Sequence, residues 1–537
     1  MSLLVAAPLL VLPLSFVAEP GAFGEVAGDL LLESLSASVV LAVGVGAGTL
    51  LLGTSLAALV SFWEFPGRRW LDWGLVLPLA MPGYVLVFVL LGQYDASSEL
   101  QSGLRAVLGE GFQLPEIRST AGTITVLTLV LYPYVYALAR ASFLGQSRDV
   151  LEAARSLGMS YRRAVARVAV PLARPALAAG VALAMMEALA DFGAVNLLGY
   201  RAMTDAIYRV WYGTYDQAAA LQLATVLVSL TAVLVVLERL LRGRARYVGA
   251  LARGEAVQPR RLTGPAAAAA AVLPALLLLV VLVAPLAQLL VWSVESLGEG
   301  AAAPDLGQAA GLTLLLSAIA ALVTVGGATL VVYARRRNPS PATRLSARLG
   351  LVGYAVPGTV VAVAVFVPLA WMDHRLNDAA DAVLGVDIGL VVTGSALGLV
   401  AAYVVRFQAL AIVSVGTRMG RVDPSIDDAA RSLGAGPGRL LTEVHLPLLW
   451  PGLATAALLV FVEVMKELPA TALLRPVGGD TLAVTVWEAT KDSRFDTAAL
   501  PALLIVLVGL VPIVVMTKLG RTIALERREP HPVGTDT

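Results

Sequence analysis

The residues best suited to chemistry are four carboxylates, Glu187 and Asp191 in one apolar stretch and Glu463 and Glu467 in another, each pair four residues apart. Side chains at i and i+4 share a helix face, so each pair is expected on one face of a membrane helix. A carboxylate within a bilayer is costly and is a functional candidate by default. Two such pairs facing each other across a pathway would offer hard oxygen ligands of the kind a trivalent cation prefers. The alternative is structural: Lys466 or a nearby arginine neutralises these groups, or they sit in water at the outer interface.

A second constellation occurs twice. Glu152-Ala153-Ala154-Arg155-Ser156-Leu157-Gly158 returns as Asp428-Ala429-Ala430-Arg431-Ser432-Leu433-Gly434, and Pro171 and Pro175 return as Pro447 and Pro451. Each copy reads as two short helices hinged at a glycine. In the second copy Asp423 suits an N-cap, Pro424 the first helical position, and Gly434 a left-handed stop; Gly436 and Pro437 open the next helix. In the first copy Ser147 caps, Gly158 ends the helix, Ser160 caps the continuation, and Pro171 is expected to break it before the next span. Val150, Leu151, Ala154 and Leu157 form one apolar face, which needs a partner. A capped amphipathic helix lying on the membrane surface would explain one copy, but not two in matching positions.

Other chemistry is poorly served. No Gly-x4-Gly-Lys-Ser/Thr phosphate loop occurs, so the chain is not expected to cradle nucleotide in that manner, and no nucleophile or metal constellation suggests a membrane-bound enzyme. Three histidines far apart give no metal-ligand spacing, and His445 reads as structural. Tyr132, Tyr134 and Tyr136 read as interfacial anchors, and Gly44 to Gly48 as a close helix-packing surface. There is no cysteine, and a net charge of +1 gives no case for nucleic acid.

The elements that must position these groups are membrane helices. Of 537 residues 58% are hydrophobic and 14% charged, and the mean hydropathy is +0.80. A spanning helix needs about 20 apolar residues, and twelve such stretches are expected: 3 to 18, 36 to 62, 71 to 92, 121 to 142, 175 to 196 and 219 to 240, then 266 to 293, 310 to 333, 347 to 371, 388 to 414, 449 to 470 and 498 to 518. The first is read as a retained helix and not a signal peptide, because Ala7-Pro8-Leu9 recurs as Ala284-Pro285-Leu286. Pro82-Gly83 recurs as Pro357-Gly358, and Glu187, Asp191 and Trp211 as Glu463, Glu467 and Trp487, at a separation near 276 residues. Six spans per copy leave both copies in one orientation, a parallel repeat about an axis along the membrane normal. Repeat one is 1–240 and repeat two 266–537, joined by a linker at 241–265 where Arg, Gly, Pro and Gln replace the apolar pattern. Lys and Arg cluster in every second loop, which puts both termini and the linker in the cytoplasm.

The repeated acidic-Ala-Ala-x3-Gly pattern, followed by nine residues, two spaced aliphatics and Pro171 or Pro447, resembles the EAA loop of bacterial ABC importer permeases. The resemblance implies an all-α polytopic protein of the type I importer permease fold, about twelve transmembrane helices in two parallel six-helix repeats. It further implies that Glu152, Ala153, Ala154, Gly158 and Pro171, with Asp428, Ala429, Ala430, Gly434 and Pro447, couple to ATPase subunits. Two copies of that ATPase would bind ATP and Mg in trans, leaving this chain without a cofactor of its own and not an enzyme. An extracytoplasmic solute-binding protein and the lipid bilayer of the inner (plasma) membrane complete the expected partners. Asp428 departs from the usual glutamate, which keeps the charge and shortens its reach. Lys466-Glu467-Leu468-Pro469-Ala470-Thr471, Leu474-Arg475-Pro476 and Ala190-Asp191-Phe192-Gly193 look like the ferric-iron importer permeases. Thiamine or another small solute is the runner-up cargo. A secondary transporter, also built from repeats, is the alternative of another class, though it gives no reason for paired EAA loops.

Overall fold

Inside lipid every backbone N–H and C=O must be satisfied within the chain, which leaves apolar runs of this length the helix. The computed structural model describes residues 2–20, 28–95, 98–242, 258–298, 305–389, 391–476 and 478–526, and every expected span is built from helix. Among the described residues nine helices are long and apolar enough to cross a membrane, or eleven if each of two bent pairs is one span. The remaining expected span is helix Ser2–Ala18, which at 17 residues is shorter than the others. Most of the linker, 243–257, lies outside the described residues. Its end does not hang free: Arg260 and Arg261 pair in parallel with Trp63 and Glu64.

Expected spans 71–92 and 347–371 are each broken, and proline is the reason. Arg68–Ala80 and Gly83–Tyr94 meet at 91°. Pro82 lacks an N–H and disfavours helical geometry in the residue before it; Met81 is extended, at φ −87° and ψ 107°. The second repeat breaks at the same place, with Val356 extended before Pro357 and a new helix, Gly358–Leu384, beginning at Gly358. The break expected at Pro171 falls two residues later. Helical structure runs through Leu172, and a 68° bend separates it from Arg174–Ala190. A π-turn at Val165–Ala169 precedes Pro171 and another at Leu440–His445 precedes Pro447; a wider turn accommodates the missing proline donor. In the second repeat the run Pro437–Met465 passes for one span without a bend of that size.

The repeats interlock. Ser2–Ala18 packs on Gly358–Leu384 of the second repeat, and Ala284–Gly298 packs on Gly83–Tyr94 of the first, where Trp292 meets Phe88 at 5.6 Å. The glycine run is a packing surface as expected: a side chain at Gly44 or Gly48 would collide with Ile124 or Thr128, and one at Gly46 with Met185. Tyr132 and Tyr136 are not interfacial anchors. Both are fully buried, and the Tyr136 hydroxyl donates to the Asp72 carbonyl at 2.8 Å.

Candidate functional site

The geometry of the carboxylates differs from the expected one. Helix Arg174–Ala190 ends just before Asp191, and helix Leu446–Met465 ends two residues before Glu467. The second member of each pair therefore lies beyond the helix that carries the first, not one turn along its face. Each instead caps the short helix that follows: Asp191 accepts from the Ala194 N–H at 2.8 Å and Glu467 from the Ala470 N–H at 2.8 Å. The two Pro-Gly breaks sit against these caps. A Cβ on Gly83 would lie 2.8 Å from an Asp191 oxygen, and one on Gly358 would lie 2.6 Å from a Glu467 oxygen.

All four carboxylates nevertheless converge. A cavity of about 360 Å³ is lined by Ala80 and Val356, Tyr134 and Leu410, Leu183 and Leu459, Met186 and Val462, Glu187 and Glu463, and Ala190 and Lys466, each pair 276 residues apart. It therefore lies on the axis relating the repeats. A second cavity of about 120 Å³ is lined by Glu187, Asp191, Glu463 and Glu467 together. Glu187, Glu463, Lys466 and Arg406 border both, forming a charged layer between them. The larger cavity reaches Leu183 and Leu459, toward the helix starts that follow the EAA-like loops; the smaller reaches Asp191 and Pro469, at the far ends.

The charges are unevenly shared. Glu463 pairs with Lys466 at 2.8 Å and Glu467 with Arg406 at 3.3 Å. Glu187 and Asp191 have no ion pair among the described residues. Sequence reasoning missed Arg406, although a lone arginine inside an apolar span satisfies the rule that singled out the carboxylates.

The EAA-like loops fold as their punctuation dictates. Ser147 accepts from the Asp149 N–H and Asp423 from the Ser425 N–H. Gly158 and Gly434 take φ of +87° and +80°. At each stop two bonds close the same Schellman motif: Gly158 to Arg155 and Met159 to Ala154, Gly434 to Arg431 and Ala435 to Ala430. Glu152, Ala153, Asp428 and Ala429 are exposed. Glu152 pairs with Arg148 and Asp428 with Arg431 within their own helices. The expected apolar face is split. Leu151 and Ala154 are buried, whereas Leu157 is 82% exposed, as is its counterpart Leu433 at 87%. Leu157 stands at the helix end, where the chain has left the buried face.

Two repeats that close on one charged axial cavity and each present a short capped helix at the same end define a polytopic transport permease. The profile of the family described as "Binding-protein-dependent transport system inner membrane component" matches residues 49–247 and again 331–524. The chain belongs to this family, as an ABC importer permease carrying both copies in one polypeptide. Among its relatives is the Fe(3+)-transport system permease protein FbpB 2 of Haemophilus influenzae, 26% identical over 90% of each chain. Another is the molybdate/tungstate transport system permease protein WtpB of Thermococcus kodakarensis, 24% identical over 40% of this chain and 80% of its own. Family membership implies a membrane location and ATPase and solute-binding partners.

Proposed function

We propose that this chain carries ferric iron across the inner membrane, receiving it from an extracytoplasmic solute-binding protein and powered by two ATPase subunits docked on helices Arg148–Ser156 and Pro424–Ser432. The observation that carries the reading is the convergence of Glu187, Asp191, Glu463 and Glu467, two from each repeat, on one cavity. Carboxylate oxygens are hard ligands suited to a hard cation, and the relative aligned over nine-tenths of both chains is named for Fe(3+) transport. The repeats are taken as 1–240 and 266–537 with both termini cytoplasmic, which places the coupling helices on the ATP side. ATP binding would close the ATPase dimer, draw the two coupling helices together and turn the repeats about the cavity. Glu152, Ala153, Ala154, Gly158 and Pro171, with Asp428, Ala429, Ala430, Gly434 and Pro447, make or shape the docking contacts.

A second reading has its own observation. Arg406 and Lys466 place two cations in the same layer, as an oxyanion cargo would require, and a molybdate/tungstate permease is among the relatives. ATP-driven uptake of ferric iron and of molybdate into proteoliposomes holding the chain with its ATPase and binding protein separates the two. Iron uptake reduced at least tenfold by Glu187→Gln with Glu463→Gln, and abolished by Glu152→Ala with Asp428→Ala, is the expected result. Molybdate uptake without iron uptake would overturn the cargo, and uptake untouched by the Glu152 and Asp428 changes would overturn the docking contacts.

A further inference from the structure

We propose that Arg406 is a tethered counter-ion of the pathway: in the empty protein it occupies the carboxylate layer and bars cations from leaking through, and cargo displaces it. This rests on the cationic-cargo reading above.

Three observations converge. Arg406 lines both axial cavities, so its guanidinium stands where they meet. It is one of two cations against four carboxylates there, and both cations come from the second repeat, at positions whose counterparts are Val130 and Ala190. The helix packing common to both repeats therefore does not require a basic residue at 406.

The third is how lightly Arg406 is held. A guanidinium has five N–H donors. The guanidinium of Arg336, which anchors a helix, makes five hydrogen bonds, to Asp427 and to three carbonyls. Arg406 makes one with a described residue, to Glu467 at 3.3 Å. Its Nη1 also rests on the helix start at Gly358, where a Cβ would lie 1.8 Å away, so a side chain there would push it off the layer. Its guanidinium also lies over the ring of its own neighbour Phe407, 5.6 Å from the centroid, a contact within the same helix, so the arginine can leave Glu467 without dismantling the fold.

The physical need is clear. Carboxylates lining a low-dielectric passage focus a field that draws cations in, and a fixed positive group is an effective barrier to them. An immobile positive group would also exclude a cationic cargo, whereas a tethered one yields to a cation whose attraction to Glu187, Glu463 and Glu467 exceeds its own. A trivalent ion meets that condition far more readily than a monovalent or divalent one, which makes Arg406 a specificity-determining residue.

The test measures passive manganese(II) entry into proteoliposomes containing the whole permease with its ATPase, without ATP or binding protein, so that it reads the barrier whatever the cargo is. Arg406→Gln is expected to raise the leak at least tenfold, and Arg406→Lys to restore it to near the wild-type level. Arg406→Gln leaves Glu467 buried without its partner and can compromise folding. Arg406→Gln combined with Glu467→Gln removes both charges, keeps an acceptor for the Ala470 N–H, and is expected to leak in the same way. No added leak from a variant that melts like the wild type would overturn the proposal. So would loss of molybdate uptake without leak, which would make Arg406 an anion ligand. Failure of iron uptake in the wild-type complex, with the leak still set by residue 406, would instead count against the cargo alone.

Discussion

The two short helices of the EAA-like loops share a length of nine residues, a capped start and a left-handed glycine stop, yet they are fastened to the membrane domain by different forces. Helix Pro424–Ser432 is held by charge. Asp427 takes two bonds from Arg336, at 2.7 and 3.0 Å, while the same guanidinium reaches the Met419 and Val422 carbonyls at 2.8 and 2.9 Å. His445, fully buried, lies 3.3 Å from Asp427 without the alignment of a hydrogen bond. Among the described residues helix Arg148–Ser156 shows no matching cluster. The positions matching Arg336, Asp427 and His445 are Val60, Leu151 and Ala169, all buried in one apolar cluster. Burial of apolar surface is non-directional and tolerates small slides, whereas a two-bond arginine–carboxylate pair fixes angle and register. For the coupling role proposed above, the second helix is thus a stiff lever and the first a compliant one.

The largest effect should come from breaking the charged fastening on one side only. Arg336→Ala leaves Asp427 buried and unpaired, at a cost of about 3–5 kcal/mol. A lower melting temperature and loss of ATP-driven uptake are expected. Installing the first repeat's residues, Arg336→Val with Asp427→Leu and His445→Ala, removes the stranded charge, since a buried ion pair replaced by apolar groups is often neutral or stabilising by about 1–4 kcal/mol. The triple variant should melt near the wild type and still transport less per ATP hydrolysed, because the lever has become compliant. Full coupling in the triple variant would show that stiffness does not matter. A mild Arg336→Ala would show that the pair is not the fastening.

This asymmetry marks the limit of what the sequence discloses. Ser147, Asp423, Gly158 and Gly434 were legible because caps and stops are written in neighbouring residues. The convergence of Glu187 with Glu463 was legible through the repeat. Arg336 and Asp427 are 91 residues apart, and nothing local says that they meet. The misplacement of Glu467 on a helix face had a readable remedy: Pro469 disfavours helix at Leu468, and the helix indeed ends at Met465. Pro82 and Pro357 marked the repeat, and the same rule would have predicted the breaks they cause. The burial of Tyr132 and Tyr136 depends on the packing of distant helices, which periodicity cannot supply.

A smaller effect tests what the helices share. Leu157 and Leu433 occupy matching positions and are the apolar side chains left most open on each helix. If each is covered by an ATPase subunit, Leu157→Ala and Leu433→Ala should each weaken docking by about 1–2 kcal/mol, the scale of burying a few methylene groups, with little change in melting. Titration of the ATPase into nanodisc-embedded permease measures it. A loss confined to one variant would mean that the ATPase contacts are as unequal as the fastenings.

The smallest effect is confined to the caps and separates the helices by pH. Ser147 caps the first with a hydroxyl, which does not titrate. Asp423 caps the second with a carboxylate held below its usual range, first by the Ser425 N–H it accepts, then by the Ser425 hydroxyl, with Arg336 adding a little. A carboxyl group whose folded-state pKa is depressed contributes stability above its unfolded value, and loses that contribution as pH falls through the folded value. The loss therefore begins below about pH 4, the ordinary range of aspartate. Amide exchange, corrected for its intrinsic pH dependence, should then rise in the first turn of Pro424–Ser432 while the first turn of Arg148–Ser156 stays protected. Asp423→Asn keeps a good capping acceptor without the charge and should remove the difference. If the asparagine variant frays at the same pH as the wild type, the Asp423 cap is not the titrating group, and the distinction between the helices lies in the fastening alone.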